Sequence, residues 1–266
     1  MEHKPVIIIT GASSGIGAET ARMFGDAGYR VVLAARRTEQ LETLAAEIIS
    51  KGGNALAIKC DVVEQSDIER LITQVIERYQ QVDILFNNAG IGRFDWLEKL
   101  DIQDDISNQV AANLLGTIQV TRAVLPYMIA RRSGHIINMS SIAGLLATPT
   151  YSVYAATKFG VRGFTDALRR EVGVWDIRVS GIYPGGVVTE FTDQTGIVRK
   201  TGVTTPAFLQ LRPEDVASSV FKLARKPKRS LVTPRLMYPI IWLNALAPSF
   251  VDWLIERHFT RPERNL

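Results

Sequence analysis

The sequence predicts an α/β fold, one doubly wound parallel sheet of about seven strands with helices on both faces. Three observations predict it. Short runs rich in Val and Ile, apolar almost throughout, alternate with longer amphipathic segments. A glycine-rich turn, Thr10-Gly11-Ala12-Ser13-Ser14-Gly15-Ile16-Gly17, joins the first run to the first amphipathic segment. No linker, repeat, low-complexity run or composition shift divides the 266 residues, so the chain reads as one domain.

The elements follow in order. Val6–Thr10 is apolar up to its last residue, as a strand covered on both faces requires. A helix is expected over Gly15–Ala27, then a strand over Arg30–Ala35. In the next helix, Glu39–Lys51, Leu41, Leu44, Ala45 and Ile48 recur at helical spacing. Ala55–Cys60 is the third strand and Glu64–Tyr79 the third helix. Asp83–Asn87 is the fourth strand, Asp104–Arg131 a long helix and His135–Ser140 the fifth strand. The second half continues with a helix at Tyr151–Val174, a strand at Arg178–Ile182, a helix at Pro213–Ala224 and a strand at Ser230–Thr233. Repeated strand–helix–strand units imply parallel pairing.

Composition narrows the function. Hydrophobic residues make up 46% and charged residues 22%, values that permit a large core. One cysteine, Cys60, leaves no intrachain disulfide, and with only His3, His135 and His258 a structural zinc site is not expected. The net charge of +4 is too small a bias to argue for nucleic acid and suits an anionic ligand equally well. The chain opens Met-Glu-His-Lys-Pro and passes at once into Val6-Ile7-Ile8-Ile9, too short a run for a secretory signal. No run of ~18 apolar residues is present for a spanning helix.

Several positions carry chemistry. The glycines at 11, 15 and 17 depart from the G-x-G-x-x-G order. The physical logic is shared: residues without Cβ permit a sharp strand-to-helix turn, and the helix amino end offers N–H groups to a pyrophosphate. A plain glycine turn fits the same residues. The second strand ends Leu33-Ala34-Ala35-Arg36-Arg37. Where dinucleotide folds that use NAD place an acid, here aligned with Ala35, there is none, and two bases follow, which suits a 2′-phosphate. Arg36 is the first choice for that phosphate and Arg37 the second, with Ser13 adding a hydroxyl. Tyr154 and Lys158, four apart on one helix, share a face. An ammonium ~4 Å from the phenol, at an effective dielectric of ~20, would favour the phenolate by ~4 kcal/mol before desolvation subtracts from it. Asn113 lies inside a long helix, where a polar amide needs a partner.

In order, Thr-Gly-x-x-x-Gly-x-Gly at 10–17, Asn87-Asn88-Ala89-Gly90, Asn113, Ser141, Tyr154-x-x-x-Lys158 and Pro184-Gly185 closely resemble the classical short-chain dehydrogenase/reductase family. The resemblance covers about residues 5–233. It implies a single Rossmann-type domain. Residues 1–140 would be mainly cofactor-binding, 141–233 would hold the catalytic helix and a substrate lid, and 234–266 would form an apolar C-terminal extension. It implies an NADP(H)-dependent oxidoreductase, and a nucleotide-sensing protein without turnover is the non-enzymatic alternative. By resemblance Tyr154 is the general acid/base, Ser141 holds the substrate oxygen, Lys158 fixes the ribose and lowers the tyrosine pKa, and Asn113 holds a water linking Lys158 to solvent. The cofactor set is then Gly11, Ser13, Ser14, Gly15, Ile16, Gly17, Arg36, Arg37, Asp61, Val62, Asn88, Ala89, Gly90, Tyr154, Lys158, Pro184, Gly185, Val187 and Thr189. Asp61 would contact the adenine, although an ordinary helix-start role fits it as well. Asn87 would support the sheet centre. No metal is needed.

The substrate is expected to be an apolar small-molecule carbonyl or alcohol. Glu190–Leu211 reads as a mobile lid, and Phe94, Trp96, Leu145, Leu146, Tyr151, Phe191 and Phe208 are candidate lining residues. The protein is expected to be cytoplasmic and a homo-dimer or homo-tetramer. The extension, with Trp242 and Trp253, reads as two short amphipathic helices joined at Pro248. A dimer surface, a wall of the substrate site and a peripheral membrane contact, as in hydroxysteroid-type relatives, all remain open for it.

Overall fold

The computed structural model describes residues 4–189, 191 and 206–266. Its centre is a seven-stranded parallel sheet in the order β3-β2-β1-β4-β5-β6-β7. The strands are β1 (Val6–Thr10), β2 (Arg30–Ala35), β3 (Asn54–Lys59), β4 (Ile84–Asn87), β5 (Gly134–Met139), β6 (Ile177–Pro184) and β7 (Ser230–Thr233). The first, second and last match the expected bounds, and the others differ by a residue or two at an end. The helices are α1 (Gly15–Asp26), α2 (Thr38–Ser50), α3 (Gln65–Tyr79), α4 (Asn108–Val110), α5 (Gly116–Arg131), α6 (Ser152–Val172), α7 (Pro213–Arg225), α8 (Tyr238–Leu246), α9 (Pro248–Ile255) and α10 (Arg261–Arg264).

Alternation along β1 sends side chains to two cores. Ile7 and Ile9 join Phe24, Leu41, Leu44, Ile48, Val216 and Val220 beneath α1, α2 and α7. Val6 and Ile8 join Leu71, Val75, Val120, Val124 and Leu168 beneath α3, α5 and α6. Both faces are therefore covered, which explains the near-continuous apolar strands. Cys60 ends buried in the second of these cores, where burial pushes its thiol up to about 12. It is a packing residue.

The expected single helix over Asp104–Arg131 is instead a composite. Wide π turns occupy Ile102–Ser107 and Ala111–Leu115, on either side of α4, and α5 continues regularly from Gly116. A π turn admits one extra residue per turn and re-aims the side chains it carries, here including Asn113.

The order reverses between β1 and β4, so the connections leaving their carboxyl ends run to opposite faces of the sheet and leave a crevice. Both strand ends are tied there. Thr10 Oγ1 accepts from the N–H groups of Asn88 at 3.0 Å and Ala89 at 3.1 Å. Asn88 Nδ2 donates back to the carbonyls of Thr10 and Gly11 at 3.1 and 3.2 Å. Asn87 turns inward, donating to Thr121 Oγ1 at 2.8 Å and Asn138 Oδ1 at 2.9 Å, and so knits β4, α5 and β5 as expected.

The extension forms α8 and α9, joined at Pro248 as expected. None of the residues of α8 is buried, and in α9 only Val251 is. Among the described residues, no helix is long and apolar enough to cross a membrane.

Candidate active site

The glycine loop lines the crevice. Gly11 has φ +66° and Gly15 φ +54°, the left-handed region that disfavours side chains. A Cβ at Gly11 would meet Ala89 Cα at 2.8 Å, and one at Gly17 would collide with the Gly11 carbonyl. These positions therefore need glycine for closeness as well as for conformation. Ser14 N-caps α1 in an extended conformation without a side-chain capping bond, and the first turn carries no acid. Its N–H groups and positive dipole end remain available to an anion. Ile16 lies in that first turn.

The bases expected at the end of β2 divide. Arg37 reaches the loop: its Nε donates to Ser13 Oγ at 3.1 Å and its Nη2 to Ser14 Oγ at 2.6 Å. Arg36 is exposed, with its Nη1 3.8 Å from Asp61 Oδ2. Both are thus at the crevice, and Arg37, the second choice from sequence, is the one on the glycine loop. Asp61 also accepts from the Val63 N–H at 3.2 Å, a turn bond in the segment before α3, whose N-cap is Glu64. Val62 packs against Gly116, where a Cβ would lie 2.8 Å from Val62 Cγ2.

Beyond β6, Pro184 pairs with Thr233, and the Gly185 N–H donates to the Thr233 carbonyl at 2.8 Å. Val187 bridges to Leu211. The Thr189 methyl stands 3.4 Å from where a Gly15 Cβ would be, which brings this loop against the glycine loop. Glycine loop, β2 end, Asn88–Gly90 and 184–189 therefore surround one crevice with two guanidinium groups and a free helix amino end. They fit an adenine dinucleotide carrying an extra phosphate.

At the other end of the crevice, Tyr154 and Lys158 lie buried on α6. Ser141, which follows β5, lies beside the phenol and acts to lower its pKa. Ser141 Oγ accepts from the Ala143 N–H at 3.1 Å, so its own proton is free to be donated. Ser140 donates to the Lys158 carbonyl at 2.9 Å and supports the helix. Lys158 Nζ lies 5.4 Å from the Tyr154 ring centroid and donates to the Met139 carbonyl at 3.2 Å. Burial lowers the Lys158 ammonium to about 8. Burial also pushes the Tyr154 phenol above its ordinary value, against the lowering effect of Ser141. In the protein by itself the phenol thus stands above its ordinary value rather than below it, because desolvation outweighs the contribution of Ser141.

Asn113 clamps the chain beside Gly90. Its Oδ1 accepts from the Ile91 N–H at 2.7 Å, and its Nδ2 donates to the Ile91 carbonyl at 2.9 Å and to Thr157 Oγ1 at 3.2 Å. A Cβ on Gly90 would lie 2.9 Å from Asn113 Oδ1 and 3.7 Å from Lys158 Nζ. Gln109, not identified from sequence, does the same one turn earlier, accepting from the Arg93 N–H at 3.1 Å. Gln109, Asn113, Thr117 and Thr121 are all buried at four-residue spacing, a polar ladder whose period was the available signal.

The Tyr154 ring sits in an aromatic cluster. Phe94 is edge-on to it at 5.2 Å and stacked on Tyr151 at 4.0 Å, and Phe191 lies 5.9 Å from Tyr154. Of the lining candidates, Phe94, Tyr151 and Phe191 meet here, whereas Phe208 is exposed. Trp96 lies beneath Arg264. The expected lid falls largely on 190 and 192–205, outside the described residues.

Comparisons with known proteins bear on the family and the fold. Residues 5–198 match the family described as short chain dehydrogenase. An uncharacterized oxidoreductase of Listeria innocua is 40% identical over 234 residues, 81% of this chain and 94% of its own. Dehydrogenase/reductase SDR family member 7B of Bos taurus is 35% identical over 271 residues, 98% of this chain and 82% of its own. An actinorhodin polyketide ketoreductase variant solved with NADPH is 32% identical, with a TM-score of 0.78 over 88% of this chain and 97% of its own. An alcohol dehydrogenase from the archaeon Thermococcus sibiricus, complexed with 5-hydroxy-NADP, is 28% identical, with a TM-score of 0.77 over 86% of this chain and 95% of its own. On its sequence, its sheet order and the placing of its motifs, the chain belongs to the short-chain dehydrogenase family.

Proposed function

We propose that the protein is an NADP(H)-dependent oxidoreductase that interconverts a carbonyl and an alcohol on an apolar small molecule. The observation that carries this reading is the buried Tyr154 phenol, with Ser141 beside it and the Lys158 ammonium 5.4 Å from its ring centroid, at the mouth of the dinucleotide crevice. The cofactor would be held by the glycine loop and α1 amino end, by Arg36 and Arg37 at its extra phosphate, and by Asn88–Gly90 and 184–189. When bound it supplies a hydride to the carbonyl carbon.

The protein's residues do the rest. Ser141 donates a hydrogen bond to the carbonyl oxygen and fixes it beside Tyr154. Tyr154 gives its proton to that oxygen as negative charge develops there. A phenol kept protonated by burial is already in the correct state for reduction. Lys158 then faces the phenolate, so its positive charge stabilises the product of proton transfer more than the starting state. Phe94, Tyr151 and Phe191 exclude water and favour a flat apolar substrate. NADP-bound relatives and the paired arginines support NADPH over NADH.

The same reading includes a cytoplasmic homo-oligomer. Val110, Leu115 and Phe159 are exposed along the α4–α6 face and offer apolar surface for a second copy. The deciding experiment is NADPH oxidation over a panel of apolar ketones, aldehydes, steroids and sugars. Turnover should favour the apolar carbonyls. Tyr154→Phe should keep NADPH binding and lose about 10³-fold in rate. Full turnover in that variant would remove Tyr154 from the acid's role.

A further inference from the structure

The C-terminal end of the chain is joined to the segment that carries Phe94. The Arg264 Cζ lies 3.8 Å from the centroid of the Trp96 ring. Its Nη1 and Nη2 donate to the two Glu98 carboxylate oxygens at 2.8 and 3.3 Å. One planar guanidinium thus stacks by its face on Trp96 and forks by its edge onto Glu98, two uses that do not compete. The hydrogen bonds from Arg264 first, with its charge, hold the Glu98 carboxyl below its ordinary range.

Residues 91–96 have no regular secondary structure and so must be fixed by side chains. At the upstream end, Asn113 holds Ile91 and Gln109 holds Arg93. Phe94 follows, against Tyr151 and Tyr154. Asp95 then accepts from the Trp96 N–H at 2.7 Å, which turns the chain into the short helix Leu97–Lys99. Trp96 and Glu98, the two residues that Arg264 grips, lie just beyond Phe94. An isolated exposed ion pair would hold little. This one is bidentate, is stacked on a half-buried indole, and lies at the far end of the strap that carries a substrate-facing ring.

We propose that Arg264 is a positioning residue. Through Trp96 and Glu98 the C-terminal arm locks the 91–100 segment and so sets how closely Phe94 approaches Tyr154 and the bound carbonyl compound. The arm then acts as the outer brace of the aromatic pocket, and affinity for flat apolar carbonyl substrates depends on it. This rests on the reading of Tyr154 as the acid in that pocket.

The test uses the full chain. Arg264→Ala should raise KM for an apolar aromatic ketone about tenfold, with kcat and the Kd for NADPH within about twofold. Arg264→Lys, which keeps the charge but not the planar stack, should recover part of the loss. Arg264→Glu combined with Glu98→Arg should recover the ion pair and lower KM again. Hydrogen exchange gives a readout without substrate: amides of residues 94–100 should exchange about tenfold faster in Arg264→Ala, with the β1 and β2 amides unchanged. An unchanged KM, or a fall in kcat with KM constant, overturns the brace. If the wild-type protein reduces no carbonyl compound, the functional reading fails. The exchange data then decide the brace by themselves: unchanged protection at 94–100 overturns it.

Discussion

The Lys158 ammonium stands over the Tyr154 ring, 5.4 Å from its centroid, yet donates its hydrogen bond to the Met139 carbonyl at 3.2 Å. It is therefore held near the phenol without neutralising it. Burial lowers Lys158 to about 8, so the ammonium loses its proton just above neutrality. A neutral lysine cannot stabilise a phenolate. The reductive kcat/KM for NADPH should fall on the alkaline side with an apparent pKa near 8. Lys158→Met should lower the rate at least about 10²-fold and abolish that limb. A wild-type profile flat through pH 9–10 would show that Lys158 does not govern the rate.

Arg37 is organised by Ser13 and Ser14, whereas Arg36 faces Asp61 across 3.8 Å. A phosphate entering between them would exchange hydroxyl and weak carboxylate partners for charge-assisted bonds, each worth about 1.5–3 kcal/mol. Arg36→Ala and Arg37→Ala should each weaken NADPH about tenfold to hundredfold and NADH by less than about threefold. The double exchange should erase the preference. Calorimetric titration with both cofactors measures this, and equal losses for NADH and NADPH would place the phosphate elsewhere.

The sheet was legible because parallel strands buried on both faces are written as unbroken apolar runs, and β1, β2 and β7 are read to the residue. The glycine loop was legible for a similar reason, since closeness to Ala89 leaves no side chain possible at Gly11. The π turns around α4 were not. A helical period does not distinguish α from π, and the extra residue accompanies a side-chain clamp on a loop twenty-two residues away, Asn113 on Ile91. The polar ladder Gln109, Asn113, Thr117 and Thr121 has the period of a solvated face. It is buried because Ile91 and Arg93 present backbone groups that need partners. Arg264 and Glu98 are 166 residues apart, and nothing local in either segment marks the pair.

Asn113 makes three bonds from a nearly inaccessible position. Asn113→Ala would leave the Ile91 N–H and carbonyl unpaired beside Gly90, at about 1–3 kcal/mol for each buried group. A loss of roughly 2–4 kcal/mol in urea unfolding is expected, together with faster exchange at Ile91. Asn113→Asp keeps the acceptor for the Ile91 N–H and should lose less. Equal losses in the two variants would mean that the amide's donors carry the clamp.

His135 on β5 titrates far from the crevice and gives the fold a pH limit. Its Nε2 lies 2.8 Å from Ser180 Oγ, which itself donates to the Lys228 carbonyl at 2.6 Å, so Nε2 carries the proton of a neutral ring. Burial first, then the Arg178 charge, hold its pKa at about 4 against an ordinary 6.5. Between these values the unfolded chain binds more protons than the folded one, so stability rises with pH across that window and is lost as pH falls through it. A difference of roughly two and a half pKa units corresponds to about 3 kcal/mol. The lowered carboxylates add their own losses in the lower part of this range, Glu47 and Glu98 first because their ordinary value is 4.5, and Asp67 and Asp166 at its bottom because theirs is 3.8. Urea midpoints measured from pH 7 to pH 4.5 should therefore fall in the wild type and fall markedly less in His135→Gln, whose amide can still donate to Ser180. A parallel fall in both proteins would assign the acid limb to groups other than His135.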